Sequence, residues 1–263
     1  MDTLPAAPDA LITLETEGGI CILTLNRPKQ YNALSSTLLE AMHEALDRIK
    51  DDPGVRVLVI AANGNAFCAG HDLKEMTASR DEAVVRILFQ RCSEMMLKIA
   101  RLPVPVIAEV QGMATAAGCQ LVAQCDLAVA SDQARFAVSG VNLGLFCSTP
   151  AVPLSRAISR KRAAEMLMTG EFIDAATALD WGLVNRLAAP ESLRATTLKL
   201  AGSLVTKPRD TLAMGKALFY RQLESGIEAA YQDASATIAC NFMQDNAQEG
   251  VTAFLEKRKP AWH

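Results

Sequence analysis

Between Leu11 and Leu25 apolar and polar residues alternate on either side of Gly18-Gly19, a period of two that predicts a β-hairpin, Leu11–Thr16 with Ile20–Leu25. Asn26–Tyr31 reads as a loop. The period then lengthens: Leu38, Met42, Ala45, Leu46 and Ile49 share one helical face, Thr37 and Glu40 have capping-box spacing, and Asp52-Pro53-Gly54 closes the helix. Val55–Ala61 is a continuous apolar strand, followed by a loop over Phe67–Met76. Asp81–Leu102 predicts a long helix with Val84, Val85, Leu88, Cys92, Met95, Met96, Ile99 and Leu102 inward; its methionines suit a core.

The stretch Pro103–Asp126 combines both patterns. Two prolines discourage an earlier helix, so Val104, Val106, Ile107 and Val110 read as a buried strand, and Gln111-Gly112 as a turn. From Ala114 to Gln124 the residues are small and helix-favouring. Small residues at a helix start let a neighbouring backbone or a ligand approach, and leave first-turn N–H groups unobstructed with the helix dipole behind them. An oxygen gaining negative charge, as in an enolate or tetrahedral oxyanion, would be stabilised there. Tight packing without a ligand accounts for the same residues.

Strands follow at Leu127–Ala130 and Arg135–Val138, a helix at Pro153–Met168 ended by Gly170, a short helix at Asp174–Trp181 closed by Gly182, and a strand at Leu183–Leu187. Beyond Pro190 only helical patterns remain: Glu191–Leu204, Arg209–Leu223, Ile227–Phe242 and Gln248–Lys257. The expected class is α/β, with a flexible tail over 1–10, a core over 11–189 and a helical C-terminal region over 190–263.

Composition narrows the partners. Half of the 263 residues are hydrophobic but only 5% aromatic, so Leu, Val, Ile, Ala and Met must build the core. A net charge of −3 gives no reason to expect nucleic acid or an anionic membrane. No apolar run approaches the ~20 residues needed to cross a bilayer. Met1–Pro5 shows no targeting pattern, and seven scattered cysteines without a CxxC pair read as reduced thiols; together they suggest a cytoplasmic protein. With only His43, His71 and His263, no metal-ligand cluster is visible.

Asn26-Arg27-Pro28-Lys29, Phe67–Met76, Pro105–Gly112, Gly118-Cys119, Cys125-Asp126, Leu143-Gly144, Met168-Thr169-Gly170, Gly182-Leu183-Val184 and Lys257–Pro260 occur in order along nearly the whole chain. With them the sequence resembles the crotonase (enoyl-CoA hydratase/isomerase) superfamily. The wording His71-Asp72-Leu73, Ala114–Leu121, Gly144–Pro150 and Trp262-His263 looks most like one subgroup of it. The resemblance implies a spiral of ββα turns with a C-terminal helical region that builds trimers, commonly paired into hexamers. It implies acyl-CoA thioesters as ligands, with coenzyme A part of the substrate and no permanently bound cofactor.

Carried over by position, the family's oxyanion hole falls on the backbone N–H groups of His71 and Ala117. Arg27, Lys29, Lys74, Lys257 and Lys259 match places where the family meets CoA, alongside Ala69, Asp72 and Leu73; Lys257–Lys259 could also serve a neighbouring subunit's ligand. Leu73, Met76 and Phe146 are candidates for an acyl pocket, or for core. The family's two hydratase glutamates fall on Gln120 and Gly140. Glutamine has no proton to exchange near neutral pH and glycine has no side chain, while each general acid or base contributes ~10²–10⁴-fold. Ordinary hydration is therefore not expected. Asp72, Glu75, His71, Glu109 and Cys147-Ser148-Thr149 are the substitutes in view, each with a structural reading beside it. The functions to weigh are an acyl-CoA enzyme of this family, a non-catalytic acyl-CoA binder, and a thioester hydrolase or decarboxylase with another proton source.

Overall fold

The computed structural model describes residues 10–262. Most of the expected tail lies outside them. The hairpin forms as strands β1 (Ile12–Glu17) and β2 (Ile20–Leu25), paired antiparallel. Helix α1 (Ser36–Asp51) follows, capped by Ser35, whose side chain accepts from the Leu38 N–H at 3.2 Å. Ser35 rather than Thr37 takes the cap, because it is the residue with extended backbone before the first turn.

The chain then winds through two sheets. Strands β3 (Val57–Ala62), β5 (Val106–Val110) and β7 (Leu127–Ser131) join β1 and β2 in one sheet, ordered β1-β2-β3-β5-β7 and closed by β10 (Arg186–Ala188). Beyond the first hairpin every pairing in it is parallel. After each of the three strands the chain turns into a second sheet, through β4 (Ala66–Cys68), β6 (Met113–Thr115) and β8 (Arg135–Ala137), with β9 (Ile173–Asp174) at its edge. Helices return the chain each time: α2 (Leu73–Ala78) and α3 (Glu82–Arg101) after β4, α4 (Ala117–Gln124) after β6. This is the ββα spiral the resemblance implies.

Several expectations shift. The Phe67–Met76 loop contains part of β4 and the start of α2, both too short to show a period. The helix expected from Ala114 begins at Ala117, since Ala114 and Thr115 pair with β8 in the second sheet. The helix at Pro153–Met168 is two, α5 (Ser148–Ala157) and α6 (Arg160–Thr169). Val84, expected inward, is exposed on α3.

Alternate residues of β5 face opposite ways. Val106, Ala108 and Val110 join the large core with α1, α3 and α4, while Ile107 packs in a second cluster with Leu193, Leu200 and Ala201 of α8 (Leu193–Val205). Helices α9 (Arg209–Leu223), α10 (Ile227–Phe242) and α11 (Asp245–Leu255) complete the chain. Lys216 of α9 reaches into the core, donating to the carbonyls of Ile99 at 2.9 Å and Val104 at 3.0 Å and to Asp126 at 2.6 Å. Tyr220 donates to the other Asp126 oxygen at 2.8 Å.

Candidate functional site

Helix α4 is buried almost throughout, wedged between the two sheets and against α5. Gly118 allows this: a β-carbon there would lie 2.0 Å from the Cys68 carbonyl oxygen, so only a bare backbone can come this close to β4. Ala116, just before the helix, holds φ 49° and ψ −118°, a conformation that suits glycine and strains alanine. Its N–H donates to Ala137 O at 2.9 Å, which ties the residue before the helix to the second sheet.

The loop after β4 meets this helix start. Gly70, at φ 94°, lies so close that a β-carbon on it would be 2.9 Å from Ala116 Cβ and 3.3 Å from Ala117 N. Thr115 Oγ1 donates to Ala69 O at 3.0 Å and fixes the loop against β6. On the far side Leu34 N–H donates to Gly70 O and Asp72 N–H to Leu34 O, a parallel bridge that leaves the intervening His71 N–H facing the other way. Neither the His71 N–H nor the Ala117 N–H donates a hydrogen bond among the described residues. The fold thus brings together two unspent backbone donors, one on a loop and one at a helix N-terminus.

Around them stand the other expected residues. Gln120, three residues into α4, is only 3% exposed, and its Oε1 has no partner. The His71 ring packs edge-on against Phe89 of α3, centroids 4.8 Å apart, with both ring nitrogens buried and unpartnered. Burial pulls its pKa below the ordinary histidine value, opposed by the Leu34 backbone and the Glu75 charge. Phe89 also lines a groove of about 650 Å³ along α3, with Val85, Ser93 and Thr149. Gly140 lies in a turn whose N–H donates to Cys147 Sγ at 3.3 Å. Leu73 and Phe146 are exposed, so neither is core.

The substitute carboxylates are occupied. Although desolvation pulls it upward, the Asp72 carboxyl is held below the usual range by Arg27 at 3.1 Å and by the α2 N–H groups it caps. Glu75 accepts from the Ser36 N–H at 2.8 Å and from the Ser36 hydroxyl, pinning α2 to α1. Glu109 projects from β5 toward α8, where Arg194 meets it at 2.9 Å, on the sheet face away from α4; burial raises its pKa against that charge. The thiols of Cys68 and Cys119 are pushed up to about 12 by burial, and Cys147 is raised likewise, so all stay protonated.

Of the expected CoA contacts, Lys29 and Lys74 are exposed, and Ala69 and Leu73 bracket the His71 turn. Arg27 is committed to Asp72 and the Ala33 carbonyl. Lys257 and Lys259 are exposed at the end of α11, whose tail docks through Trp262 Nε1 on Thr206 O rather than on the 69–74 loop. Sequence reasoning missed Asn32, which in left-handed backbone accepts from Arg27 N–H and donates to the carbonyls of Asn63 and Ala66 at 2.9 and 2.8 Å. It also missed Phe89. Asparagine in a polar loop is a recognisable signal for left-handed backbone; an aromatic on a helix gave none. Among the described residues no cluster of His, Cys, Asp and Glu is arranged for a metal ion, and no helix is long and apolar enough to cross a membrane.

A family model described as enoyl-CoA hydratase/isomerase matches residues 15–263. The enoyl-CoA hydratase domain-containing protein 3 of Xenopus laevis is 46% identical over 252 residues, 96% of this chain and 86% of that protein. A crystal structure titled enoyl-CoA hydratase of Mycobacterium smegmatis superposes with a TM-score of 0.95 at 57% identity, covering 97% of this chain and 100% of that one. The human domain-containing protein 3 superposes with a TM-score of 0.93 at 44% identity, covering 96% and 100%. This is the subgroup that the wording around His71 resembles. The Xenopus protein and its rat, mouse, zebrafish and human counterparts are all named mitochondrial, which overturns the cytoplasmic placement. Scattered reduced thiols fit any reducing compartment, so they never distinguished one from another.

Proposed function

This chain belongs to the enoyl-CoA hydratase/isomerase family, and from that premise we propose that it binds an acyl-CoA thioester with the carbonyl oxygen between the N–H groups of His71 and Ala117. The observation that carries this is the pair of unspent donors itself, brought together by Gly70 against Ala116 and Ala117. Two N–H groups aimed at one oxygen stabilise charge that develops there, the more so in a site shielded from water. The dipole of α4 adds to the field at Ala117. The thioester is thereby polarised toward an enolate or oxyanion.

Gln120 and Gly140 are read as non-ionisable, so the family's two-carboxylate addition of water is not the expected reaction. Gln120 orients a polar group or a water without transferring a proton. Lys29 and Lys74, which form no ion pair among the described residues, serve the CoA phosphates, with Asp72 and Leu73 shaping the loop that holds Lys74; Arg27 acts through Asp72. Leu223, Ile227, Tyr231, Ile238, Phe242 and Phe254 are exposed on the C-terminal helices, and such a surface suits a homotrimer or homohexamer built through residues 190–263, bringing Lys257 and Lys259 to a neighbouring copy.

The fixed polar identity of Gln120 also favours a second reading, a binder of acyl-CoA that turns nothing over. The test is difference infrared spectroscopy of butyryl-CoA labelled with ¹³C at the thioester carbonyl. Bound to the protein, the carbonyl stretch should move to lower frequency, and Ala117→Pro, which leaves only the His71 N–H, should reduce the shift. A bound ligand with an unshifted carbonyl overturns the proposal.

A further inference from the structure

The last two helices bury little of themselves. Among the described residues α10 buries none, and α11 buries only Asn246 and Ala253, while Phe254 and Leu255 at its end are 82% and 73% exposed. Helices in proteins owe most of their stability to tertiary packing, so α11 needs another attachment to keep its place.

Residues 256–262 supply it. Lys257 takes left-handed backbone at φ 57°, the Arg258 N–H donates to Ala253 O at 3.0 Å, and the chain runs back along the helix it has just left. Arg258 grips the Glu249 carboxylate with both terminal nitrogens, at 2.6 and 2.8 Å, a two-point contact that fixes direction as well as distance. The Ala261 N–H donates to the same carboxylate at 2.7 Å. Trp262 reaches farther, its indole N–H meeting Thr206 O at 2.8 Å in the corner between α8 and α9. That corner is in turn tied to the residues just before β3: Arg56 donates to Lys207 O at 2.5 Å, and Arg209 Nε to Val55 O at 3.2 Å.

Gly250 shows what the Trp262 ring requires. It lies in the middle of α11 with no positive φ to call for glycine, and glycine weakens a helix interior relative to alanine. A β-carbon there would come 3.2 Å from the Trp262 ring. The helix gives up a side chain at the point where the ring lies on it.

We propose that residues 256–262 are a strap that clamps α11 to the α8–α9 corner, and that self-association of the chain requires the strap closed. The second half rests on the reading that the C-terminal helices carry assembly. Closed, the strap fixes the direction in which Phe254 and Leu255 face, and the Trp262 ring joins Pro208, Val251 and Leu255 in walling a groove of about 360 Å³ on that surface. Open, α11 loses its tie to the corner. A second copy docking on a face that fluctuates must also bear the entropy of ordering it, which weakens association.

The test is hydrogen–deuterium exchange read by mass spectrometry, with assembly of the full chain followed by light scattering. Trp262→Ala and Arg258→Met should each speed exchange over residues 245–255 by about 10-fold, leave α4 and β5 unchanged, and shift the chain toward lower mass. Gly250→Ala should slow that exchange more in the Trp262→Ala background than in otherwise unmodified protein. Exchange over 245–255 that neither Trp262→Ala nor Arg258→Met alters overturns the clamp, as does Gly250→Ala acting equally in both backgrounds. Full assembly in a variant whose α11 exchanges faster overturns the coupling to self-association. Monomeric unmodified protein instead removes the self-association reading, and the exchange measurements still decide the clamp.

Discussion

Cys147 Sγ stands in the space where a side chain at residue 140 would begin. It accepts the Gly140 N–H at 3.3 Å and would lie 2.8 Å from a β-carbon there, with Leu145 O at 2.6 Å. Gly140 is not among the residues with positive φ, so the restriction is steric. Gly140→Ala should cost about 1–3 kcal/mol, as overpacking does, in urea denaturation. Adding Cys147→Ala should recover only part, because the Leu145 carbonyl remains. It follows that Gln120→Glu with Gly140→Glu should not restore hydration of crotonyl-CoA while the 145–147 turn is intact. A double variant that is stable and hydrates briskly would show that the turn yields.

Ala116 and Gly118 should respond in opposite directions. Ala116→Gly relieves an alanine from φ 49°, ψ −118° and should stabilise by about 1 kcal/mol once the added freedom of the unfolded chain is discounted. Gly118→Ala meets the Cys68 carbonyl and should prevent soluble folding. Thermal melts of the two variants check both; a destabilised Ala116→Gly would mean that the strain at Ala116 is not relieved by removing its side chain.

The depressed pKa of His71 makes stability depend on pH. Between the folded and unfolded pKa values the unfolded chain binds more protons, so stability rises with pH there. Stability should therefore be full above the unfolded value, about 6.5, and drop as pH falls from there toward the lower folded value. His71→Phe should flatten that part of the profile. Equal slopes from pH 7.5 to 5 in both proteins would contradict a buried neutral ring.

Lys216 is 7% exposed and Asp126 17%, and burial lowers the lysine's pKa while Asp126 opposes the shift. Lys216→Met leaves Asp126 with Tyr220 and the Val106 N–H only, removes the side-chain donor to the Val104 carbonyl and leaves the Ile99 carbonyl with the Leu102 N–H alone. Breaking a buried pair from one side costs about 3–5 kcal/mol. Replacing Asp126 as well, as Lys216→Met with Asp126→Asn, should cost less than the sum. Additive losses in chemical denaturation would show that the two act independently.

The strands and long helices were legible because Leu, Val, Ile and Met recur at periods of two or near four. What escaped were three-residue strands such as Ala66–Cys68 and Met113–Thr115, shorter than any period can show. The small residues of Ala114–Gln124 favour a helix by propensity, yet pairing with β8 claims the first two. The positions of the two backbone donors came from resemblance, since an N–H leaves no mark on residue identity. The burial of the His71 ring was invisible for a related reason: it depends on what folds over it.

Glu109 keeps one carboxylate oxygen without a hydrogen bond, and the parity of a strand holds it away from α4. Its neighbours Ala108 and Val110 look toward α4, and it looks toward Arg194. One residue deleted from β5 ahead of it would turn that carboxylate to the other face, since each step along a strand reverses the side. New acid–base chemistry would then be separated from the present protein by a change of phase, with no new residue type required.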